Sequence, residues 1–365
     1  MLGYRPFELC AEGGDHAGKN ETTLGVAQEL AGRGWDVVLT NAPQYWSPVG
    51  ATVRHMNRKG SYASLFLEAN TDKLESTKLR CAMYALDRLL TLPMVLESCN
   101  EDTIIVSDRG PDSNTVTLGY RVFTNEVNYD QACELQDDFL PRLEHTLLGC
   151  VSHHPYLCVN HYPGGHRLES QSNELQGRNH ISFADFEALD DHEKVGSERA
   201  QEIALNLYKR HNFPEIITGT EDGWRYIPEV VNEILKSYEL PELSADKLSL
   251  GNVALIGPSI FLKSLGLDPS YLNQGVLSRW EHLMKTPFVP GKKVILDELD
   301  EEFAAQIAEV WNEADLSIYK RHPGVIAGIK EMFIDHPGLM DLLKIEIGSN
   351  GLHFIENILV LEPEP

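Results

Sequence analysis

Through the first 240 residues, short runs of β-branched and apolar residues alternate with segments whose apolar positions recur at helical spacing. That alternation predicts an α/β fold: a parallel sheet with helices on both faces. Residues 7–11 read as the first strand, followed by a glycine-rich turn and a helix to about Gly32, which Gly34 ends. Residues 36–40 (DVVLT) read as the second strand, and 103–107 (TIIVS) as a short strand covered on both faces. From residue 65 to 97 the apolar residues keep helical spacing, with no glycine and one proline, Pro93. Residues 156–161 and 215–218 are weaker strand candidates, and 225–238 read as an amphipathic helix that closes the unit.

Two stretches break the pattern. Residues 171–193 are polar, rich in Asn, Asp and His, and read as a mobile loop or lid. Residues 239–244 (ELPELS) read as a linker, which predicts a first domain over 1–240 and a smaller C-terminal accessory domain over 241–365. In the latter, helices are expected at 300–315 and 323–333, and a strand at 352–360.

Composition narrows the class. Hydrophobic residues make up 42% and charged ones 24%, as in a soluble globular protein rather than a disordered one. The 31 Lys+Arg against 55 Asp+Glu leave a net charge of −24, which argues against nucleic-acid and anionic-membrane partners. A few arginines in a cleft hardly alter that total. No apolar run reaches the length of a membrane span, and the N-terminus lacks a charged head followed by a long apolar stretch. Cys10, Cys81, Cys99, Cys133, Cys150 and Cys158 form no C-x-x-C pair and read as reduced thiols of a cytoplasmic protein.

The chemistry begins directly after the first strand, at Glu12-Gly13-Gly14-Asp15-His16-Ala17-Gly18-Lys19-Asn20. This matches G-x-x-x-x-G-K with the following position altered. Glycines let successive N–H groups turn inward around a phosphate, and Lys19 supplies charge to the outer phosphates. The helix behind adds its positive end. Gly13, Gly14, Asp15, His16, Ala17, Gly18, Lys19, Asn20 and Glu21 are therefore the expected ATP-binding set. A Ser or Thr ordinarily follows the lysine and ligates Mg²⁺. Here Asn20 stands there, whose amide oxygen can ligate the ion or hold one of its waters, with a different reach that predicts weakened catalysis.

Further blocks follow in order: Gly34 with residues 35–40; Pro43, Gly50 and Arg54; Tyr84-Ala85-Leu86-Asp87-Arg88; and Ser107-Asp108-Arg109-Gly110-Pro111-Asp112-Ser113. Together with the loop they resemble E-G-x-D-G-x-G-K, G-x-x-V-x-x-T, F-A-A-D-R and C-D-R-Y-x-x-S of the thymidylate kinase family, over about residues 5–238. The resemblance implies a P-loop nucleotide kinase with ATP as donor, Mg²⁺ as cofactor, nucleotides as partners and a homodimer as its assembly. It implies Lys19, Asp15 and Arg109 as catalytic, with a lid arginine, Arg167 or Arg178, of which Arg178 joins the catalytic set. Acceptor binding falls to Arg54, Tyr84, Arg88, Asp108, Arg109 and Ser113. In detail, Arg88 grips the acceptor phosphate, Tyr84 stacks on its base, and Asp15 sits between donor and acceptor. Asn20 and Asp108 are the implied metal ligands.

Departures shape the alternatives. The family's T-R-E-P appears as Thr40-Asn41-Ala42-Pro43, its aromatic after D-R as Gly110, and its tyrosine–glutamine pair as Thr117 and Leu118. These losses weaken the case for thymidylate more than the case for nucleotide binding. Two other readings stay open: a degenerate kinase acting as a nucleotide-binding regulatory or scaffolding protein, and a kinase for another nucleotide or nucleoside. Blander readings exist as well. Tyr84 and Arg88 also fit a plain helix, with Tyr packed inward and Arg capping or paired to Asp87, and Asp108–Arg109 fits a local ion pair. Cys150, His153, His154, Cys158, His161 and His166 match no compact zinc pattern and read as solvated or hydrogen-bonded side chains. The acidic run at 297–302 reads as a solvated helix start.

Overall fold

A computed structural model describes residues 5–15, 17–44, 47–56, 62–161, 191–243, 250–257 and 315–362, with backbone alone for 48, 51, 54, 55, 191–198 and 345–351. In chain order the first half holds β1 (Phe7–Glu12), α1 (Lys19–Gly32), β2 (Asp36–Asn41), α2 (Pro48–Met56), α3 (Tyr62–Ala69), α4 (Lys73–Glu97) and β3 (Thr103–Asp108). Then come α5 (Asn114–Phe123), α6 (Tyr129–Glu134), α7 (Leu140–Leu143), α8 (His145–Cys150) and β4 (Ser152–Asn160). The chain continues with α9 (Asp191–Tyr208), β5 (Glu215–Thr220), β6 (Gly223–Trp224), α10 (Ile227–Lys236) and β7 (Val253–Leu255). It closes with α11 (Ser317–Lys320), α12 (Pro323–Asp335) and α13 (Gly338–Val360).

The strands form one sheet in the order β6-β5-β4-β1-β3-β2-β7. Every pair is parallel except the terminal β5–β6 pair. The expected mostly parallel sheet flanked by helices is the architecture of this chain. Alternation along the strands splits the core. Leu9, Val37, Leu39, Ile104 and Val106 bury against Leu24, Val26 and Leu30 of α1 and Val230 and Ile234 of α10. Val38 and Ile105 face the other way, onto Leu86, Leu89 and Leu90 of α4. Central β1 departs from this rule: its second face carries Glu8, Cys10 and Glu12, all buried. Burying carboxylates there demands partners.

Local chemistry explains the helix limits. Asp72 accepts from the Glu75 amide at 3.0 Å and so caps α4, which separates it from α3 within the helical pattern of 65–97. The fourth strand starts at Ser152, four residues before the expected 156, because its ladder to β1 begins at the Phe7–Ser152 pairing.

The tail is not where its pattern placed it. Residues 352–360 belong to helix α13, not to a strand. Leu352, Phe354, Ile355 and Ile358 are buried while His353 and Glu356 are exposed, the three-to-four spacing of a helix face. Those side chains join Val49, Val53, Leu67, Leu86 and Leu89 in one apolar cluster with Val325, Ile326 and Ile329 of α12. Tyr319 anchors the contact by donating its hydroxyl to the Leu90 carbonyl at 2.9 Å. β7 adds a parallel strand beside β2. The described tail thus contributes to both the sheet and the core of the first 240 residues. Among the described residues no helix is long and apolar enough to cross a membrane. Of the expected lid at 171–193, residues 171–190 lie outside the described residues and 191–193 open helix α9. The expected helix over 300–315 up to residue 314 and the acidic run at 297–302 also lie outside them.

Candidate functional site

β1 and α1 are joined by Gly13–Gly18, of which His16 lies outside the described residues. Gly18 has φ 73°, a left-handed conformation that glycine adopts without steric cost. A side chain there would also press on the Trp224 ring at 3.0 Å. Thr218 of β5 donates its hydroxyl to the Ala17 carbonyl at 2.8 Å and fastens the loop to the sheet. Lys19 is buried, its ammonium folded back to donate to the Gly14 carbonyl. Burial pushes the Lys19 pKa down and Arg109 adds to this, against the attraction of Asp108 and Asp15.

The first turn of α1 shows which oxygens are spoken for. Thr22 and Thr23 donate their hydroxyls to the Gly18 and Lys19 carbonyls, at 2.6 and 2.7 Å. Glu21 is half-buried. The buried Asn20 Oδ1 has no hydrogen-bond partner among the described residues. An orphaned acceptor of this kind is costly unless something electropositive meets it. A hard cation such as Mg²⁺ fits that oxygen, with the Asp108 carboxylate at the end of β3 as the second candidate ligand.

β3 passes into the segment 109–113, which runs under the loop. Arg109 adopts φ 70°, unusual for a residue with a side chain, and its amide donates to the Ala11 carbonyl at 3.0 Å. Its guanidinium pairs with the Asp15 carboxylate of the loop. Fully buried Glu12 accepts from the Gly110 amide at 2.9 Å, the Ser113 hydroxyl, the Tyr208 hydroxyl at 3.1 Å and the Cys10 thiol at 3.4 Å. Burial and nearby Asp112 push the Glu12 pKa up. Ser113 is thereby placed by Glu12, on the inside of the segment.

The acceptor candidates are distributed differently. Arg88 is buried in a salt bridge with Glu144, whose carboxylate also accepts from Asn114 at 3.4 Å. Burial pulls the Arg88 pKa down, but the charge and hydrogen bond of Glu144, with Glu12 and Asp87 nearby, together push it up. Arg88 and Arg109 both line a cavity of about 40 Å³ with Thr40, Asn41 and Thr91. That volume suits water-sized groups, not a nucleotide. Tyr84 is half-buried and packs on the apolar cluster of α4 and its neighbours instead of lining that cavity. Asp87 does not pair with Arg88: it accepts from the Gln44 amide at 2.6 Å and from Ser47, tying the turn after β2 to α4. Burial lifts its pKa to about 6. The Arg54 side chain, Arg167, Arg178 and His166 lie outside the described residues.

Sequence reasoning passed over two groups. Gln201 of α9 reaches Asp15, Tyr120 of α5 accepts in turn from Gln201, and no local motif marks either. Behind the 109–113 segment, His153 Nδ1 meets Glu8 at 2.6 Å and Nε2 meets Asp112 at 3.0 Å, while Ser107 donates to Glu8 at 2.6 Å. Burial would depress the His153 pKa, but the two carboxylates lift it to about 10. Donor atoms of Glu8, Cys10 and His153 lie within 4.8 Å of one another. Both imidazole nitrogens are already engaged, so this is a hydrogen-bonded imidazolium and not an open ligand set. The polar residue Glu8 inside an apolar strand was the available signal. His154, on the opposite face of β4, stacks on Phe7 with centroids 4.0 Å apart.

The sequence matches no protein-family model and no curated protein. Among solved structures, the thymidylate kinase of Candida albicans aligns over 64% of this chain and 91% of its own, at 13% identity and a TM-score of 0.37. A likeness that distant bears on neither the reaction nor the substrate.

Proposed function

We propose that this chain is an ATP- and Mg²⁺-dependent kinase of nucleoside monophosphates, of the thymidylate kinase type. The observation that carries the reading is the convergence of Lys19, Asp15 and Arg109 at the carboxyl ends of β1 and β3, around a glycine loop that opens α1. In parallel sheets that edge is where ligands bind.

The roles follow from the residues. Loop N–H groups and the positive end of α1 cradle the donor phosphates, and the Lys19 ammonium exchanges the Gly14 carbonyl for a phosphate oxygen. Asn20 and Asp108 would hold Mg²⁺, which when bound offsets charge on the phosphoryl group in transfer. Arg109 is partly exposed at 24% and better placed than Arg88 to meet the acceptor phosphate. Such a site works by alignment and charge neutralisation, with no covalent step of its own. With Thr117 and Leu118 in place of polar base readers, the acceptor base is poorly discriminated.

The test is ADP release by the full chain with ATP, Mg²⁺ and each nucleoside monophosphate in turn. Acceptor-dependent ADP that Lys19→Ala abolishes supports the kinase reading. No acceptor-dependent ADP with any monophosphate overturns it. The burial of Arg88 against Glu144 favours a second reading, a nucleotide-binding module without turnover. ATP affinity with no phosphorylated product would select it.

A further inference from the structure

α9 can lie against α5 because position 119 carries no side chain: a methyl on Gly119 would come within 2.7 Å of Ala204 Cβ and 2.8 Å of the Ala200 carbonyl. This close approach brings Gln201 onto the glycine loop. Its oxygen accepts from the Asp15 amide at 3.0 Å. Its nitrogen donates to Asp15 Oδ2 at 3.1 Å and to the Tyr120 hydroxyl at 2.9 Å. The amide can sit only this way round, since a backbone N–H only donates and a carboxylate only accepts. Arg109 takes the other Asp15 oxygen. The loop acid, although 41% exposed, is therefore gripped from both sides and at its own backbone.

We propose that Gln201 is a positioning residue for phosphoryl transfer: it fixes Asp15, the third residue of the loop, and with it the face the loop turns to the terminal phosphate of the donor. This rests on the kinase reading above. A glutamate at 201 would set carboxylate against carboxylate and lose both donated bonds. A methionine would keep the length and the packing on α5 while making none of the three.

The experiment compares the full chain with Gln201→Met and Gln201→Glu. Ligand-free melting temperature, calorimetric affinity for ATP and for ADP with Mg²⁺, and kcat and KM on any accepted monophosphate are measured. Both variants are expected to melt within about 2 °C of the parent, as for a partly exposed polar position. ATP affinity should fall roughly tenfold in Gln201→Met, the loss of hydrogen bonds to a charged group, and further in Gln201→Glu. ADP should lose less than ATP, and kcat should fall with acceptor KM nearly unchanged. Unchanged ATP affinity and kcat in Gln201→Met overturn the proposal. So does a lowered melting temperature with kcat intact, the mark of a structural residue, or tighter ATP binding, the mark of a plug. A parent that binds no ATP overturns the kinase reading together with it; a parent that binds while the variants match it overturns this proposal alone.

Discussion

Two arginines reach the same small cavity, and their surroundings make them different instruments. Arg88 comes from α4, is 6% exposed, and meets a Glu144 that is 3% exposed. Arg109 comes from the end of β3, is 24% exposed, and meets the loop acid Asp15 at 41%. Both belong to an Asp-Arg dipeptide, so motif reading treats them alike. The difference teaches that availability of a guanidinium depends on how deeply its partner is buried. A buried pair cannot release one member without leaving the other charge stranded in low dielectric. An exposed pair dissociates at little cost, because water screens both charges.

The sharpest way to break that comparison is to truncate one arginine at a time. Arg88→Ala should cost about 3–5 kcal/mol of stability in denaturant unfolding, because Glu144 is left buried and unpaired. Adding Glu144→Leu should recover much of the loss. An Arg88→Ala variant that unfolds like the parent would mean the pair opens freely, and would return Arg88 to the acceptor site.

Next in expected size is the other buried cation beside this segment, His153. Its pKa in the folded chain is lifted to about 10, above its ordinary value. The sign follows: folding binds the extra proton, so the stabilisation is full below pH of about 6.5 and is lost as pH rises through about 10. The stability difference between parent and His153→Gln should therefore be largest near pH 6 and shrink steadily toward pH 10. A difference that does not vary with pH would show that His153 is held neutral.

The smallest stability effect is expected at Arg109. Arg109→Ala should change unfolding by less than about 1 kcal/mol, in line with a partly exposed pair. Its effect belongs in ligand affinity instead: losing one charge-assisted contact of about 1.5–3 kcal/mol weakens monophosphate binding roughly ten- to hundredfold. Equal monophosphate affinity in parent and variant would remove Arg109 from the acceptor site.

Much of the fold was legible along the chain. The strands of the sheet are short apolar runs, so β1, β2, β3 and β5 fall within two residues of their expected limits. The glycine loop after β1 was legible for a related reason: its geometry is built by consecutive residues, glycines whose backbone turns without steric cost and a lysine at the start of the helix. Asn20 likewise announced itself by standing where a hydroxyl is usual, and its buried oxygen is left without a partner among the described residues. Nothing local, however, distinguishes a helix from a strand at 352–360. Six apolar residues in nine fit either period, and packing against α2, α3 and α4 decided for the helix.

What the sequence determined by itself is therefore a set of local geometries: the runs that become β1, β2, β3 and β5, and the glycine turn after β1. What tertiary structure alone decided is who pairs with whom. Glu144 is 56 residues from Arg88, His153 145 from Glu8, and Gln201 186 from Asp15. These distances along the chain are closed only when the strand order places β1 between β3 and β4 and α9 settles on α5. The reason is physical: backbone conformation responds to neighbouring residues, whereas the worth of a charge depends on the partner and the dielectric that the assembled fold supplies.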